Sequence, residues 1–381
     1  MSLLEEWLSP FATVNTGFRE PNEYILQYSD SPQPQQCVIS GGRVESYLTS
    51  QTRAVLNVIF DRGAYLPDLG LWLDSRRKRS VGYISHAHMD HVARHQRPIL
   101  TSGTRVLLKT LLQRSDPCTL EYGETYDTAN YSLTLYPAGH CLGSAQVLVR
   151  SKVSGQRVLY TGDFKVRPNP TAEPLQSVSC DTLIIESTFG RPEYCFPPQE
   201  EVLDSFFETL RGWLNRGETP VVLAYRMGKS QELLHHLLSQ GFEVALEESA
   251  YVVTQSYQEA GVEFPGPFRS FDGTFREGEV LLFPPGKGTR AALERLKGRR
   301  MVAMSGWAVH NGARYRLGVD EAFPFSDHAD YSELVDYVKL VNPKQVYTIN
   351  GFPDLASHLK AQGYQAEHLK SGQASVQLKL L

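Results

Sequence analysis

The stretch VGYISHAHMDH, at residues 81–91, joins an apolar run to three histidines and one aspartate. Its first five residues predict a short strand, because β-branched and aromatic side chains make up most of them. Imidazole and carboxylate groups are the ligands that zinc takes where thiolates are absent. In a loop, alternate side chains can point to two neighbouring places, so one ion can bind His86 and His88. A second ion can then bind Asp90 and His91. A strand that ends in such a cluster predicts a layered α/β unit with its site at the strand ends.

Further candidate ligands stand at the ends of other apolar runs. PAGH ends at His140, 54 positions after His86, and LYTGD ends at Asp163, 23 positions further on. A carboxylate can bridge two metal ions about 3.5–4 Å apart, the arrangement used in two-metal hydrolysis. We therefore expect His140 and Asp163 to complete the site. Asp74 closes the run LGLWLD just before the cluster, and we expect it to orient a ligand or the loop.

The rest of the chain alternates between strand and helix patterns. YSLTLYPAG, VLVRS, RVLYTGD and DTLIIES predict four short strands between residues 131 and 187. Residues 191–320 alternate strand-like runs with helical periodicity, which predicts a second α/β domain with a parallel sheet. One of its helices is expected at GKSQELLHHLLSQG, residues 228–241, with Ser230 as N-cap. Residues 1–53 form an N-terminal extension of unassigned role, with a short helix expected near residues 3–8.

Composition excludes several classes of protein. The 381 residues carry 38 Lys and Arg against 42 Asp and Glu, which gives a formal net charge of −4 and a pI near 6.3. This balance argues against indiscriminate binding of nucleic acid, although a local basic groove is compatible with it. No apolar run approaches the roughly 18 residues of a membrane helix, and the start MSLLEEWLSP lacks the basic region of a signal peptide. We therefore expect a cytoplasmic protein without membrane contact, with its five cysteines reduced.

The order of Asp74, HAHMDH, His140 and Asp163 resembles that of the metallo-β-lactamase fold. The resemblance implies an αββα sandwich with the metals at one edge of the sheets. It also implies zinc as the cofactor, with these ligands: His86, His88 and His140 for one ion, Asp90 and His91 for the other, and Asp163 as the bridge.

Two later motifs narrow the family. Glu186 lies in LIIESTFG (183–190), 23 residues after Asp163, and His328 lies in FSDHAD (325–330). These motifs resemble the nucleic-acid-processing branch called β-CASP, in which the two residues are implied to work as a pair near the leaving group. A histidine held by a carboxylate can indeed protonate the leaving oxygen of a phosphodiester. The implied fold class is α/β, an αββα sandwich (54–190 and 321–381) with an inserted α/β (β-CASP) domain (191–320).

Four further segments resemble the bacterial DNA-ligase-associated exonuclease group: PAGHCLGSAQ (137–146), TGDFK (161–165), AYRMGKSQELL (224–234) and SGW (305–307). The resemblance implies a zinc-dependent nuclease that trims DNA ends in repair, with DNA favoured over RNA. It also implies a DNA ligase as a pathway partner. The residues expected to carry the chemistry are Asp90, Asp163, Glu186 and His328.

The AYRMGKS turn joins a strand to a helix start and carries Arg226, Lys229 and Ser230. The free N–H groups and positive dipole end of a helix attract phosphate, and arginine adds a bidentate fork. We expect these three side chains to contact a backbone phosphate, with an ordinary strand–helix connection as the alternative. Lys165 either lines the path of the strand or lies on a solvated rim. Trp307 either stacks on a base or packs in the core.

The last strand departs from one version of the family pattern. Many RNA-processing members carry a histidine after it, whereas here the run VYTI leads to Asn350. Asn is a poor zinc ligand, so a second ion held by Asp90, His91 and Asp163 is expected to bind loosely or not at all. The cofactor is therefore one or two zinc ions, with Mn²⁺ as a substitute. The absence of a histidine at this position favours DNA over RNA as the substrate. The residues expected to orient the metal ligands without binding the metal themselves are Asp74, Asp330 and Asn350.

Three other functions stay open on the sequence. An RNA-processing ribonuclease of the 3′-end type has the same chemistry and differs in its contacts to the 2′-hydroxyl. A small-molecule zinc hydrolase, such as a lactonase or thioesterase, shares the zinc site but needs neither the inserted domain nor the pair of Glu186 and His328. A catalytically weak scaffold would have lost ligands, and only Asn350 points that way.

Overall fold

The computed structural model describes residues 56–286, 289, 293, 296–371 and 373–374. The predicted N-terminal extension and its short helix lie outside these residues. The described strands form three sheets, two of seven strands and one of six. The first two sheets position the predicted ligands, and the third is formed by residues 219–323, which lie in sequence between two strands of the second sheet.

The first sheet collects the strands that precede and follow the histidine cluster. Its strands are β1 (Ile59–Phe60), β2 (Ala64–Leu66), β3 (Leu71–Leu73), β4 (Val81–Tyr83), β5 (Arg97–Thr101), β6 (Cys118–Leu120) and β20 (Gln373–Ala374). They lie in the order β20-β1-β2-β3-β4-β5-β6. The pairs from β3 to β6 are parallel, so β3 and β4 both deliver their C-terminal residues to one edge of the sheet.

The second sheet collects the strands that carry the remaining acidic residues. Its strands are β7 (Thr125–Asp127), β8 (Tyr131–Pro137), β9 (Ala145–Ser151), β10 (Arg157–Tyr160), β11 (Thr182–Glu186), β18 (Gln345–Ile349) and β19 (Gln365–His368). Their order is β19-β18-β11-β10-β9-β8-β7, and the four strands from β10 to β19 pair in parallel. The ends of β10, β11 and β18 therefore meet at one edge.

Helices cover the outer faces of these two sheets, and an apolar core fills the space between them. The helices are α1 (Ser102–Leu107) outside the first sheet, and α6 (Tyr331–Val341) and α7 (Asp354–Ala361) outside the second. The inner core includes Leu73 and Tyr83 of the first sheet and Val147 and Val158 of the second. Burial of each such side chain is worth about 1.5–3 kcal/mol relative to exposure. The predicted αββα sandwich is confirmed.

The third sheet is entirely parallel, as predicted for this part of the chain. It contains β12 (Thr219–Leu223), β13 (Glu243–Leu246), β14 (Phe268–Ser270), β15 (Glu279–Phe283), β16 (Arg299–Met304) and β17 (Glu321–Phe323). Their order is β14-β13-β15-β12-β16-β17. The helices α2 (Gln199–Leu214), α3 (Lys229–Ser239), α4 (Glu248–Glu259) and α5 (Ala313–Leu317) accompany it. Because Met304 pairs with Phe323, the sheet continues past residue 320, where the sequence placed the end of the inserted domain.

The start of α3 differs from the prediction. Gly228 is the N-cap, with φ +84, and the helix begins at Lys229. This positive φ is open to glycine because it has no Cβ. Ser230, the predicted N-cap, lies inside the first turn, and its hydroxyl donates to the carbonyl oxygen of Tyr225 (2.8 Å).

A buried ion pair ties α3 to the segment after β10. Lys165 Nζ contacts Glu232 Oε1, and both side chains are 0% exposed. Glu232 Oε2 has no hydrogen-bond partner among the described residues. The interaction of a buried pair is largely offset by desolvation, whereas removal of one partner leaves an unpaired buried charge.

We expect Glu232→Leu to lower the free energy of unfolding by about 3–5 kcal/mol, because Lys165 stays buried without its counter-charge. The double variant Lys165→Met/Glu232→Leu should recover most of this loss, since neither side chain is then charged. Urea denaturation of the three proteins measures the difference. Equal stability of the single and double variants would contradict the assignment of the cost to the unpaired lysine.

Candidate metal centre

Asp74 organises the loop that carries the histidine cluster. It follows β3 in a left-handed conformation, with φ +49, and is buried. Its Oδ1 accepts the backbone N–H of Ser85 (2.7 Å). Its Oδ2 accepts the Ser85 hydroxyl (2.5 Å), His91 Nδ1 (2.8 Å) and the Tyr160 hydroxyl (2.9 Å). One carboxylate therefore fixes both ends of the loop and the orientation of the His91 ring.

Two backbone carbonyl groups determine which ring nitrogens of His88 and His140 carry lone pairs. His88 Nε2 lies 3.2 Å from the Met227 oxygen, and His140 Nδ1 lies 2.6 Å from the Asp327 oxygen. A carbonyl oxygen only accepts, so both of these nitrogens donate. In the neutral rings, His88 Nδ1 and His140 Nε2 then carry the lone pairs. These two atoms lie 3.1 Å apart, which suits a cation between them.

A hydrogen bond also determines which ring nitrogen of His86 carries the lone pair. Its Nδ1 lies 2.9 Å from the hydroxyl of Ser85, which donates its own proton to Asp74. Nδ1 must therefore donate, and the lone pair lies on Nε2. That Nε2 is buried and has no hydrogen-bond partner among the described residues. Asp163 Oδ2 lies 3.6 Å from it and 3.2 Å from His91 Nε2, and so stands between the two histidines.

These donors fit a zinc ion. One ligand atom from each of four buried residues, His86, His88, His140 and Asp163, lies within 4.8 Å of the other three. Imidazole nitrogen and carboxylate oxygen are among the ligands of zinc, and four such ligands are enough for its tetrahedral coordination. Each of the three histidines also donates from its second nitrogen, which fixes the tautomer that a metal needs.

Burial keeps the three histidines in the form that binds metals. It lowers the pKa of His86 and of His88 below the usual range of histidine. Burial, together with the charges of His328 and His88, lowers the pKa of His140 to about 3. A metal binds neutral imidazole, so at these three residues no proton has to leave first.

His91 differs from these three. Burial alone would lower its pKa, but the carboxylates of Asp163 and Asp90 outweigh burial and raise it well above the usual range. A metal at His91 must therefore displace a proton. Asp90 Oδ2 lies 3.6 Å from His91 Nε2, and the Asp90 side chain is 59% exposed. This half of the centre has fewer buried donors than the other half.

Glu186 and His328 form a pair beside the cluster. His328 Nδ1 lies 3.1 and 3.0 Å from the two carboxylate oxygens of Glu186. Glu186 also accepts the backbone N–H of Phe164 (2.9 Å) and the hydroxyl of Thr188 (2.5 Å). Burial alone would lower the pKa of His328, but the charge and hydrogen bond of Glu186 outweigh it and raise the pKa to about 10. The ring is therefore protonated at neutral pH.

Asp327 is a site residue to which the sequence assigned no role, although it lies inside FSDHAD. Its carbonyl oxygen holds His140, and its Oδ1 lies 2.9 Å from Lys229 Nζ. Burial opposes ionisation of Asp327, but the charges of Lys229 and His328 outweigh it and hold the pKa well below the usual range. Its position next to His328 in the motif is the signal that could have found it. The Met227 carbonyl has no such signal, because any residue carries one.

The cluster opens into a cavity of about 400 Å³. Loops of the sandwich line one side of it, and residues of the third sheet and its connections line the other. The lining residues with charged or aromatic side chains are Arg76, His88, Asp90, His91, Asp163, Phe189, Tyr225, Lys229, Trp307, Asp327 and His328. Trp307 also packs against the ring of Phe189 (centroids 4.8 Å apart), so it combines a packed face with a place at the cavity.

Asn350 lies at the cavity in a left-handed conformation, with φ +53. Gly351 follows it and packs against Ser187, where a Cβ would lie 1.8 Å from the Ser187 carbonyl oxygen. Asp330 lies outside the cluster. It caps α6 by accepting the backbone N–H of Glu333 (2.9 Å), and it accepts Arg167 Nη2 (2.8 Å).

Two expected phosphate contacts need correction. Lys165 is buried in its ion pair with Glu232, and Ser230 is fully buried with its hydroxyl on a backbone carbonyl. Neither side chain is exposed to a strand that arrives from solvent. Lys229 faces the cavity, but its charge is paired with Asp327. Arg226 is exposed on the same turn.

Comparison with known proteins gives three kinds of relative and one family model. The model of the Zn-dependent metallo-hydrolase RNA specificity domain matches residues 319–371. A protein named "Probable DNA ligase" from Opitutus terrae is 40% identical over 313 residues, which cover 81% of this chain and 31% of that protein. Endoribonuclease ysh-1 of Neurospora crassa is 27% identical over 190 residues, 40% of this chain and 22% of that protein.

Transcription termination factor FttA of Thermococcus kodakarensis is 31% identical over 218 residues, 48% of this chain and 31% of that protein. The chain thus spans less than a third of the length of each of these relatives. In the described part of the chain, no helix has the length and apolar character needed to cross a membrane. The family model covers the return from the third sheet to the sandwich, and the first relative covers most of the chain. The chain belongs to the β-CASP branch of the metallo-β-lactamase superfamily.

Proposed function

We propose that this protein is a zinc-dependent nuclease and that it trims DNA ends as an exonuclease. The observation that carries the proposal is one cavity lined both by His88 and Asp163, which belong to the buried set of metal donors, and by His328, which is paired with Glu186. The first supports hydrolysis and the second supports proton delivery. The likeness of 81% of this chain to a protein named "Probable DNA ligase" supports DNA as the substrate.

His86, His88 and His140 would hold one zinc ion, and Asp163 would bridge to a second ion at Asp90 and His91. Bound zinc lowers the pKa of its water to about 7 and stabilises negative charge on phosphoryl oxygens. The second position would fill less readily, because His91 must first lose its proton and Asp90 is exposed. Mn²⁺ is a substitute for zinc in this proposal.

His328 would deliver the proton that the leaving oxygen needs. Its Nδ1 faces Glu186, which leaves Nε2 for the cavity that the ring lines. Glu186 is itself held by Phe164 and Thr188, so the ring has a fixed orientation. A positioned general acid contributes typically 10²–10⁴-fold to rate, roughly 3–5 kcal/mol of barrier.

The aromatic and cationic side chains around the cavity would orient the substrate. Tyr225 is 40% exposed and lies edge-on to His88, with ring centroids 5.1 Å apart. A base can stack on such a ring, and Trp307 offers a second one. Arg226 is the side chain of the AYRMGKS turn that is free to meet a phosphate. A DNA ligase acting in the cytoplasm on the trimmed ends is the expected pathway partner.

Zinc should stabilise the protein. At a free zinc concentration about 100 times the dissociation constant, the folded state gains about 2.7 kcal/mol. Thermal unfolding of protein stripped with a chelator and then reloaded measures the rise in Tm. His140→Ala should lose most of the rise, whereas His310→Gln, which replaces a histidine that packs on Tyr194 and belongs to none of the donor groups in the described part of the chain, should keep it. An equal rise in all three proteins would show that zinc binds elsewhere.

RNA is the second candidate substrate. The family model that matches residues 319–371 is described by RNA specificity, and one relative is named as an endoribonuclease. The chemistry would be the same, and only contacts to the 2′-hydroxyl would differ.

Labelled strands of one sequence, as single- and double-stranded DNA and as RNA, distinguish the two candidates. We expect DNA labelled at one end to shorten progressively with zinc or Mn²⁺, and the labelled end that survives gives the direction. Preferential cleavage of RNA would replace DNA by RNA in the proposal. Zinc-loaded protein that cleaves none of these strands would overturn the nuclease function, and ester or lactone turnover would then separate a small-molecule hydrolase from a scaffold.

A further inference from the structure

Positive charge is concentrated in one stretch of this acidic chain. Residues 76–114 contain nine Lys and Arg side chains but one carboxylate, Asp90. The whole chain has a formal net charge of −4. The nine residues are Arg76, Arg77, Lys78, Arg79, Arg94, Arg97, Arg105, Lys109 and Arg114. Such segregation makes a local positive field that net charge does not reveal.

Some of these cations are neutralised by neighbouring carboxylates. Arg77 pairs with Asp61 (3.4 Å), Arg97 with Asp116 (3.9 Å), and Lys109 with Glu259 (2.5 Å). Five others are exposed and have no carboxylate within 4.0 Å in the described parts of the chain. One of the five, Arg105, lines neither the metal cavity nor the groove described below. We call the other four the basic strip: Arg76, Lys78, Arg94 and Arg114.

The basic strip begins at the metal cavity and continues into a second groove. Arg76 lines the cavity, and its Nε donates to the carbonyl oxygen of Asp90 (2.8 Å). Lys78, Arg94 and Arg114 line a groove of about 500 Å³. Its other lining residues are His95, Gln96, Thr110, Leu111, Gln113 and Ser115, most of them polar. The groove therefore offers cations and hydrogen-bonding groups and little apolar surface.

Two chain segments lead from the cavity to the groove side by side. One runs from Arg76 to Lys78, and the other runs from Asp90 to Arg94. Just beyond them, backbone hydrogen bonds join Gln96 to Arg79 (2.9 Å) and Arg97 to Ser80 (2.8 Å). The Cα atoms of Arg76 and Lys78 can lie no more than about 7 Å apart. This is the rise of about two base pairs of duplex, so cavity and groove are neighbours on the scale of a nucleic acid.

We propose that the basic strip binds the sugar-phosphate backbone of the nucleic acid on the side of the cavity opposite the third sheet. This inference rests on the proposed nuclease function. Unpaired guanidinium groups can form bidentate hydrogen bonds with phosphate, and phosphate contacts fix the register of a strand without reading its bases. The strip therefore holds the substrate backbone that extends beyond the scissile bond, whether DNA or RNA.

The basic strip supplies more unpaired cations than the AYRMGKS turn does. On that turn Lys229 is paired with Asp327 and Ser230 is buried, which leaves Arg226 as its exposed cation. On the strip, four cations are available without breaking an ion pair. A strand that runs from the cavity over the groove thus meets most of the unpaired positive charge near the site.

The test compares two triple variants of the full, zinc-loaded chain. The strip variant is Lys78→Gln/Arg94→Gln/Arg114→Gln, which leaves Arg76 and the cavity unchanged. The control variant is Arg150→Gln/Arg276→Gln/Lys360→Gln, which removes the same charge from exposed residues outside both the cavity and the groove. The probe is a fluorescent single strand of DNA with phosphorothioate linkages that resist cleavage, titrated at several salt concentrations. Zinc content and Tm verify that both variants fold.

We expect the strip variant to lose about 2 from the slope of log affinity against log salt, because three phosphate contacts are gone. Between 50 and 200 mM salt, the native protein should therefore lose about 20-fold more affinity than the strip variant. The control variant should behave like the native protein.

Equal slopes for the strip variant and the native protein would overturn the strip while leaving the nuclease in place, provided that the native protein binds and cleaves. Loss of binding to poly-glutamate with unchanged binding to DNA would also overturn it and would assign the surface to an acidic polypeptide. A native protein that neither binds nor cleaves nucleic acid would instead overturn the proposed function, on which the strip depends.

Discussion

Asp163→Asn should abolish nuclease activity, with a loss greater than the roughly 100-fold expected when a group outside the ligands is removed. Asp163 Oδ2 lies 3.2 Å from His91 Nε2 and 3.6 Å from His86 Nε2, so its charge serves both halves of the centre. The amide keeps the size of the side chain but removes its negative charge, and it places either a weaker oxygen donor or an N–H group at this position.

The loss should be visible without an activity assay. Competition with a chelator should show weaker zinc binding by Asp163→Asn than by the native protein. Asp204→Asn is the matched control, because Asp204 is exposed on α2, far along the chain from the cluster. It should keep both zinc affinity and cleavage. Native zinc content together with native cleavage in Asp163→Asn would contradict the role of the carboxylate as a ligand.

His328→Ala should lower the rate of DNA cleavage by about 10²–10⁴-fold, the usual contribution of a general acid. Zinc content should stay unchanged, because the imidazole tautomers of His86, His88 and His140 do not depend on the His328 side chain. The ring of His328 lies 4.8 Å from that of His140, so metal content has to be measured in the same sample.

Two substrates with different leaving groups distinguish proton delivery by His328 from a structural role of its side chain. A nitrophenolate needs no proton to leave, so a nucleotide p-nitrophenyl ester should be hydrolysed by His328→Ala with a much smaller deficit than DNA. Glu186→Gln should show the same dependence on the leaving group, since its charge holds His328 in the protonated form. An equal deficit on both substrates would contradict the assignment of His328 as the acid.

The candidate ligands could be found from the sequence for a physical reason. In parallel strands of one sheet the C-terminal ends meet at one edge, so Asp74 after β3 joins the His/Asp cluster after β4, and Asp163 after β10 joins Glu186 at the end of β11. The apolar runs identified the strands, and the motifs identified the polar side chains at the strand ends. Glu186 and His328, 142 positions apart, meet because β11 ends at the same edge and the later motif precedes α6.

Other features of the site could not be predicted from the sequence. The carbonyl groups of Met227 and Asp327 set the tautomers of two histidines, and backbone atoms leave no trace in residue types. Lys165 looked like a surface cation, but its partner Glu232 comes from a helix 67 positions away. A long-range ion pair of this kind depends on how two layers pack, which no local pattern encodes.

The residue preferences of helix N-caps also gave a wrong prediction at the start of α3, where a glycine occupies the N-cap position. Ser230 has the side chain of an N-cap, yet Gly228 takes the position because it adopts φ +84 two residues earlier. The net charge of −4 gave no sign of the basic strip. Net charge averages over the chain, whereas binding depends on where the unpaired cations lie.

Diffraction at the zinc absorption edge from crystals of the zinc-loaded protein tests the central claim most directly. We predict an anomalous peak bonded at about 2.0–2.1 Å to His86 Nε2, His88 Nδ1 and His140 Nε2, with Asp163 next to it. The use of Nδ1 by His88 alone is a consequence of the hydrogen bond between its Nε2 and Met227. A zinc peak away from these histidines, or one bonded to His88 through Nε2, would contradict the account.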